Sequence, residues 1–400
     1  MSNRSPLARP VRSALVWTLL LTFALLLAFH VAGGWYFASA IDDRALSAAA
    51  RRASLTPNYR IQVVEAGSNT VTLSGSDVRL ERNGVFGLQW EGGWGIIREI
   101  LGTSADGSVR RAFDLRGGEP LRAGMHVAID SRVFPGDPLA GLGIPFEDVA
   151  VQGELGDYPA WFISGSKPTW FIFVHGNGLT RRDALRVLPT VVDAGFPVLV
   201  PTYRGDEEAP KDPSGKLRYG KTEWRDLEAA VRYALDHGAT KVVLDGVSMG
   251  GGVVVAFLLE SPLADRISGV ILDSPMLDFE QTVEFQAERE RLPGLGVPLP
   301  WTLIQSAELI TQLRFGVDWH YTDYLAKASQ LVTPILLIHG EEDRTVPVST
   351  SEQLARLRPD LIVDFYRVPD AGHVESWNAD PAEYEQRVRT FMGLVESHSR

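Results

Sequence analysis

The sequence has 400 residues, 45% of them hydrophobic, which is enough for one large domain or two smaller ones, and we expect more than one folded unit. Its net charge of −11, its isoelectric point of about 5.3 and the absence of any Lys/Arg run exclude nucleic acid as a partner, because phosphates select basic grooves. It has no cysteine, which excludes disulfides and thiolate metal sites, and no His-Glu-x-x-His pattern, which leaves a zinc hydrolase without a ligand set.

The first predicted element is a transmembrane helix. Residues 13–41 are uncharged and residues 15–29 are almost entirely apolar, a run that is long enough for the roughly 20 residues of a membrane span. Residues 1–44 are therefore predicted to be a cytoplasmic tail and a single span, with the catalytic domain outside the cytoplasm. The charges on which this orientation depends are Arg4, Arg9 and Arg12 before the span, Asp42 and Asp43 after it, and the opposing Arg44, Arg51 and Arg52.

A cleaved signal peptide, giving a secreted protein, is the alternative for this segment. Ala38-Ser39-Ala40 fits a small-residue cleavage site, but the apolar run is longer than the roughly 7–15 residues of a signal sequence. His30 has no second ionisable residue nearby in the span, so we interpret it as an interfacial or helix-packing residue.

Residues 45–145 are predicted to form a small β-rich accessory region. Phe86, Trp90 and Trp94 stand among glycines there, and we expect them to fill a thin core, with a sugar- or lipid-binding surface as the alternative. The short alternating segments that predict strands are residues 59–64, 70–73, 77–80 and 125–129.

From residue 146 onwards the pattern is that of a sheet interleaved with helices. Residues 147–152 and 159–163 predict a leading hairpin, and residues 222–235 have the apolar spacing of a helix. This alternation predicts an α/β fold with a mostly parallel, doubly wound sheet, whose sites lie beyond the carboxyl ends of the strands. The continuous apolar runs typical of buried parallel strands are residues 170–174, 198–200, 241–244, 270–272 and 335–338.

One of these strands ends in the pattern Gly-x-Ser-x-Gly. The run at 242–244 precedes Gly246-Val247-Ser248-Met249-Gly250, and a helical apolar stretch follows. This strand-turn-helix setting predicts a nucleophile elbow, in which the turn strains the backbone at the serine, exposes its hydroxyl and requires glycine two residues away on each side.

The other strands of the predicted sheet also end in polar residues. Asn177 follows the strand at 170–174, Asp343 follows the strand at 335–338, and His373 follows residues 361–366. On the motifs His175-Gly176-Asn177-Gly178, Gly246–Gly250, His339-Gly340-Glu341-Glu342-Asp343 and Ala371-Gly372-His373, residues 146–400 resemble the α/β-hydrolase superfamily. They look closest to its serine aminopeptidase, esterase and prolyl-oligopeptidase-like branches. Residues 1–145 carry no such resemblance.

The chemistry expected of these residues is nucleophilic catalysis by Ser248. His373 would accept the serine proton, and Asp343 would fix the tautomer of the imidazole and stabilise the imidazolium. The resemblance assigns the oxyanion hole to the backbone N–H groups of Asn177 and Met249.

Several residues nearby have competing interpretations. Asp273 ends the strand at 270–272 and is the alternative acid. Asp245 either faces inward and disturbs the histidine or binds to backbone. His175, which precedes the nucleophile, is expected to shape the oxyanion turn, and His339 and His320 are expected to be structural.

Residues 276–331 are predicted to be a lid that is inserted between two strands. Its apolar residues, among them Phe279, Phe285 and Trp301, favour a hydrophobic acyl pocket, with a purely structural cover as the alternative.

Together these features predict a membrane-anchored serine hydrolase that cleaves the carboxylic ester of a small-molecule or lipid-like acyl substrate, with no cofactor and no metal. The alternatives are an amide or peptide hydrolase, an acyltransferase, and an inactive fold that serves as a membrane-bound binding protein.

Overall fold

A computed structural model describes residues 8–47 and 57–398, with the backbone alone for residues 8–12 and 398. The charges of Arg4, Arg9, Arg12, Arg51 and Arg52, on which the orientation of the predicted span depends, lie outside this description.

The N-terminal segment is one long helix, α1, over Ala8–Ile41, followed by a π-helical turn over Asp42–Leu46. Its apolar side chains up to Phe29 are exposed, and by length and composition it is able to cross a membrane. This finding is compatible with a membrane anchor or with a signal sequence.

The β-rich region is a closed antiparallel barrel of six strands in the order β1-β2-β5-β4-β3-β6. Phe86 and Trp90 are buried in its core, as the core-filling interpretation predicts, while Trp94 is half-buried at its surface. The strands are β1 Ile61–Ala66, β2 Thr70–Ser74, β3 Phe86–Trp90, β4 Gly93–Thr103, β5 Val109–Gly118 and β6 His126–Asp130.

The strand prediction for residues 77–80 is wrong. These residues form a 3₁₀ turn over Val78–Leu80, and the side chain of Asp77 accepts the backbone N–H of Arg79 at 3.0 Å. An aspartate that caps its own turn offers the backbone an alternative to strand pairing.

The second sheet has eight strands in the order β7-β8-β10-β9-β11-β12-β13-β14. Strand β8 is antiparallel to both of its neighbours, and all the remaining pairs of neighbours are parallel. The strands are β7 Glu147–Gly153, β8 Gly156–Ile163, β9 Thr169–Val174, β10 Val198–Pro201, β11 Lys241–Val247, β12 Ile267–Asp273, β13 Ile335–Gly340 and β14 Ile362–Val368.

Helices cover both faces of this sheet, which is why its central strands are apolar on both sides. In β11, Val242 and Leu244 pack into one apolar core, and Val243 and Val247 pack into the core on the opposite face. The helices after α1 are α2 Pro138–Leu142, α3 Leu188–Asp193, α4 Trp224–Asp236, α5 Met249–Glu260, α6 Phe279–Ala287, α7 Trp301–Phe315, α8 Val348–Leu357, α9 Ser376–Ala379 and α10 Pro381–His398.

Helices α6 and α7 lie between β12 and β13, where the lid is predicted, and α7 packs against α1. The contact is close because α1 has glycine there: a side-chain carbon at Gly34 would lie 2.9 Å from Cδ1 of Ile310 and 3.1 Å from Ser306. Nε2 of His30 lies 2.9 Å from Oγ1 of Thr302, which agrees with the helix-packing interpretation of this histidine.

Candidate active site

Ser248 lies in a sharp turn between β11 and α5. Its φ is 55° and its ψ is −121°, in the left-handed half of the map that non-glycine residues rarely occupy. A side-chain carbon at Gly250 would lie 2.0 Å from the carbonyl oxygen of Val174, and one at Gly246 would lie 2.8 Å from the carbonyl oxygen of Gly250. Both glycines are therefore required by close backbone packing.

The turn brings Ser248 next to the predicted histidine and aspartate. Nε2 of His373 lies 2.8 Å from Oγ of Ser248, and Nδ1 of His373 lies 2.7 Å from Oδ2 of Asp343. Ser248 is only 7% exposed, whereas the elbow predicts an exposed hydroxyl. The reason is that the imidazole packs on its oxygen and the backbone of Gly176 packs on its Cβ.

The Asp343 carboxylate is held from several sides. Its Oδ1 accepts the backbone N–H groups of Thr345 at 2.7 Å and Val346 at 2.9 Å, and Nε2 of His339 lies 3.3 Å from Oδ2. Burial alone would raise the pKa of Asp343, but His373 and His339 hold it well below its ordinary value. The group is a fixed anion facing the imidazole.

The electrostatics of His373 follow from that anion. Burial opposes the charged imidazolium and would lower the pKa of His373, but the charge and hydrogen bond of Asp343 outweigh it and raise the pKa. The arrangement therefore favours proton uptake by Nε2, the nitrogen that faces the serine.

Two backbone N–H groups are the candidates for an oxyanion hole. Met249 is the first residue of α5, where N–H groups have no partner inside the helix, and Asn177 lies in the turn after β9. Within the described ranges neither N–H donates to a backbone acceptor. The pair is suited to bind an oxyanion formed at Ser248.

A family model described as "Alpha/beta hydrolase family" matches residues 171–387, which is more than half of the chain and contains all of these residues. The chain belongs to the alpha/beta hydrolase family.

This hydrolase is also similar to curated proteins and to a solved structure. It is 23% identical to the uncharacterized protein YqkD of Bacillus subtilis over 228 residues, covering 56% of this chain and 71% of that protein. It is 24% identical to the uncharacterized protein YfhR of Escherichia coli over 263 residues, covering 62% and 79%. The solved structure of the Pyrococcus furiosus esterase Pf2001 superposes with a TM-score of 0.51 at 21% identity, covering 66% of this chain and 97% of that one, which shows a common fold.

Asp273, the alternative acid, bonds to other groups. It accepts hydrogen bonds from the hydroxyls of Ser274 and Ser376, both at 3.2 Å, while Nδ1 of His373 contacts Asp343. The geometry of the hydrolase thus favours Asp343 as the partner of the histidine.

Asp245 faces inward, as one of its two interpretations states, and its effect on His373 stays a prediction. It is fully buried behind the elbow, and neither carboxylate oxygen has a hydrogen-bond partner among the described residues. Burial raises its pKa well above the ordinary value, and the neighbouring carboxylate of Asp273 adds to this effect. Burial thus disfavours the charged form of this carboxyl.

The three other histidines considered in the sequence analysis make no hydrogen bond to Ser248 among the described residues. Nε2 of His175 lies 2.9 Å from Asp206, and its ring stacks on Tyr203, so it shapes the turn before Asn177. His339 is buried behind Asp343, and His320 is exposed on the surface.

The three aromatic residues expected to line a pocket under the lid differ in their exposure. Phe279 is buried and stacks on Tyr219 with ring centroids 3.8 Å apart, and Phe285 is half-buried. Trp301 is 60% exposed, so the expectation that it lines a pocket over Ser248 is wrong.

Two contributions to the site were not predicted from the sequence. The Nδ2 group of Asn177 donates to the carbonyl oxygen of Ala45 at 3.0 Å, so the end of the N-terminal segment touches the candidate oxyanion hole. Arg82 of the barrel region forms an ion pair with Glu375, two residues after His373. Neither Ala45 nor Arg82 belongs to a motif.

No cluster of three His, Asp or Glu side chains suited to a metal is found among the residues that the structure describes.

Proposed function

We propose that this hydrolase is a membrane-anchored serine hydrolase that cleaves carboxylic esters. The observation that carries the proposal is the pair of hydrogen bonds that links Asp343 through His373 to Ser248. A neutral imidazole in contact with a serine hydroxyl is the arrangement that makes this weak nucleophile reactive.

In the proposed reaction, Oγ of Ser248 attacks the carbonyl carbon of the ester while Nε2 of His373 takes its proton. The N–H groups of Met249 and Asn177 stabilise the oxyanion. The imidazolium then gives the proton to the departing alcohol, which leaves an acyl group on Ser248. Water, deprotonated by the same imidazole, releases the acid and restores the serine.

Membrane anchoring is supported by the way α1 is built into the fold. Its first half is apolar and exposed, whereas Gly33, Gly34 and Ser39 contact the lid helix α7. Signal cleavage after Ala40 would remove these contacts. The full-length chain should therefore remain in the membrane fraction in high salt and in alkaline carbonate. Recovery of a soluble chain that begins at Ile41 would favour the secreted alternative instead.

The catalytic proposal is tested on the detergent-solubilised protein with a fluorophosphonate probe, which labels only an activated serine. We expect labelling of the wild type and of Ser68→Ala, an exposed serine far from the elbow, and none of Ser248→Ala. An unlabelled wild type would mean that the fold serves in binding. A panel of acyl esters and aminoacyl amides, assayed with water and with alcohol acceptors, then separates ester hydrolysis from amide hydrolysis and acyl transfer.

A further inference from the structure

The segment that follows α1 is part of the hydrolase domain. Leu46 is 1% exposed in the apolar core, and its carbonyl oxygen accepts the N–H of Leu217 at 2.9 Å. Ser47 forms an isolated antiparallel bridge with Lys216. The end of α1 is therefore held in a fixed position relative to the site.

This segment also touches the candidate oxyanion hole. The carbonyl oxygen of Ala45 accepts hydrogen bonds from Nδ2 of Asn177 at 3.0 Å and from the hydroxyl of Tyr219 at 3.1 Å. Asn177 follows Gly176, which packs so closely that a side-chain carbon there would lie 2.7 Å from Cβ of Ser248. Asn177 and Gly176 thus connect the N-terminal segment to the nucleophile.

An apolar groove lies between the end of α1 and the lid helices α6 and α7. It is narrow, with a volume of about 70 Å³, so it accommodates a chain only in extended form and only if the lid helices move outward. The ion pair of Arg44 and Glu290 also forms part of its lining. Ala45 belongs to both the groove and the contact with Asn177. The groove is lined by Phe37, Ile41 and Ala45 from the N-terminal segment and by Val283, Ala287 and Ile304 from the lid.

The groove also lies at the level of the membrane surface. A span that begins at Ser13 crosses the bilayer in about 20 residues and ends about one turn beyond His30. His30 contacts Thr302 at the start of α7, and Ser39 contacts Arg314 near its end. Helix α7 thus runs parallel to α1, and it starts at the depth where the span ends.

Exposed apolar side chains surround the start of α7. Leu295 is 71% exposed, and Val297 and Trp301 are also exposed. Such a cluster is unfavourable in water, whereas apolar and aromatic side chains of this kind suit the interface of a bilayer. The lid therefore begins where lipid is available.

We infer that the groove binds the acyl chain of an ester drawn from the bilayer along α1, so that the membrane helix forms one wall of the substrate site. The inference rests on the proposed function, since it requires both the membrane span and the acyl-enzyme. The substrate class is an amphiphilic ester with a long acyl chain and a polar leaving group. The apolar lining suits the chain, while the carbonyl group reaches Ser248 past Asn177.

The test uses the absence of cysteine from the chain, so that a single introduced thiol can be modified after folding. Ala40 also lines the groove, and Asp43, three residues later, is exposed. Full-length Ala40→Cys and Asp43→Cys are modified in detergent with decyl methanethiosulfonate, checked by mass spectrometry and reconstituted into phosphatidylcholine vesicles. Hydrolysis of nitrophenyl dodecanoate, carried in the vesicles, is compared with hydrolysis of nitrophenyl acetate.

Modification of Ala40→Cys should lower the dodecanoate-to-acetate ratio of kcat/KM by at least about tenfold, because the attached decyl chain occupies the groove. Dithiothreitol, which removes the decyl chain, should restore the ratio in Ala40→Cys. The ratio of the control variant Asp43→Cys should not change on modification. For the unmodified protein, the dodecanoate rate should follow the mole fraction of ester in the bilayer.

An unchanged ratio in fully modified Ala40→Cys would overturn the assignment of the groove. A dodecanoate rate that follows bulk concentration at constant mole fraction would overturn the bilayer as the source. Either result, obtained with protein that the fluorophosphonate probe still labels, leaves the serine mechanism standing. Loss of labelling in the unmodified wild type would instead count against the proposed function.

Discussion

Val85 of the barrel region and Asn378, five residues after His373, exchange two hydrogen bonds. The N–H of Val85 donates to the carbonyl oxygen of Asn378 at 2.8 Å, and Nδ2 of Asn378 donates to the carbonyl oxygen of Val85 at 2.7 Å. The same Nδ2 group donates to Ser131 at 2.8 Å, and the amide oxygen accepts from Arg186 at 3.0 Å. The barrel is thus bonded to the segment that carries the histidine.

Asn378→Ala should therefore lower both stability and turnover. Asn378 is 0% exposed, so its removal leaves buried partners unsatisfied, at a cost of about 1–3 kcal/mol in the free energy of unfolding. Turnover should fall further than the loss of folded protein explains, because the loop of His373 is less firmly held. Urea unfolding and kcat on the same preparation measure the two effects. Asn69→Ala, at an exposed turn of the barrel, is the control. If Asn378→Ala kept wild-type kcat per folded molecule, the barrel would have no part in positioning the histidine.

The identity of the acid is tested by two matched substitutions. Asp343→Asn should lower kcat by roughly 10⁴-fold, because an amide facing Nδ1 favours the wrong tautomer of His373. Asp273→Asn should cost much less, since its carboxylate bonds to Ser274 and Ser376. Steady-state kinetics on a soluble ester give both values. The reverse ranking would identify Asp273, the last residue of β12, as the catalytic acid.

The pH dependence of kcat/KM should report the histidine. Only neutral His373 accepts the serine proton, and Asp343 raises the pKa of His373, so activity should be lost as pH falls through a midpoint above the ordinary histidine value of about 6.5. In Asp343→Asn the residual activity should show a lower midpoint, because the charge that favours the imidazolium is gone. An acid limb at the same pH in both proteins would contradict this electrostatic relationship.

Glu308 should make the free energy of unfolding depend on pH. This residue of α7 is 6% exposed, and burial, together with the nearby carboxylates of Glu284 and Glu280, raises its pKa to about 8. Between about 4.5, the ordinary value, and about 8 the native state binds more protons than the unfolded state, so this group makes the free energy of unfolding fall as pH rises.

Glu308→Gln removes that titration. The variant should gain stability relative to the wild type as pH increases from 5 to 9, as measured by urea unfolding of the solubilised protein. Glu288→Gln, at an exposed position, should show no such trend. A constant difference between Glu308→Gln and the wild type across this range would show that Glu308 does not titrate differently on folding.

The sequence by itself determined the α/β architecture and the elbow, because both depend on local patterns. Strands buried on both faces must be continuously apolar, and β9, β11 and β13 appear as such runs. Glycine on both sides of Ser248 is required by contacts within one strand-turn-helix unit. Four-residue patterns are less informative, since residues 77–80 fit a strand and a 3₁₀ turn equally well until the capping bond of Asp77 is known.

The tertiary structure alone decided which groups meet across the fold. Asp273 ends β12 and Asp343 follows β13 at the same edge of the sheet, and only the path of the loop after β13 brings Asp343 to His373. Trp301 is exposed because α7 turns another side towards α1, which its apolar composition does not specify. The contact between Ala45 and Asn177 joins residues 132 positions apart. Periodicity and propensity describe neighbours along the chain, whereas such contacts depend on how whole elements pack.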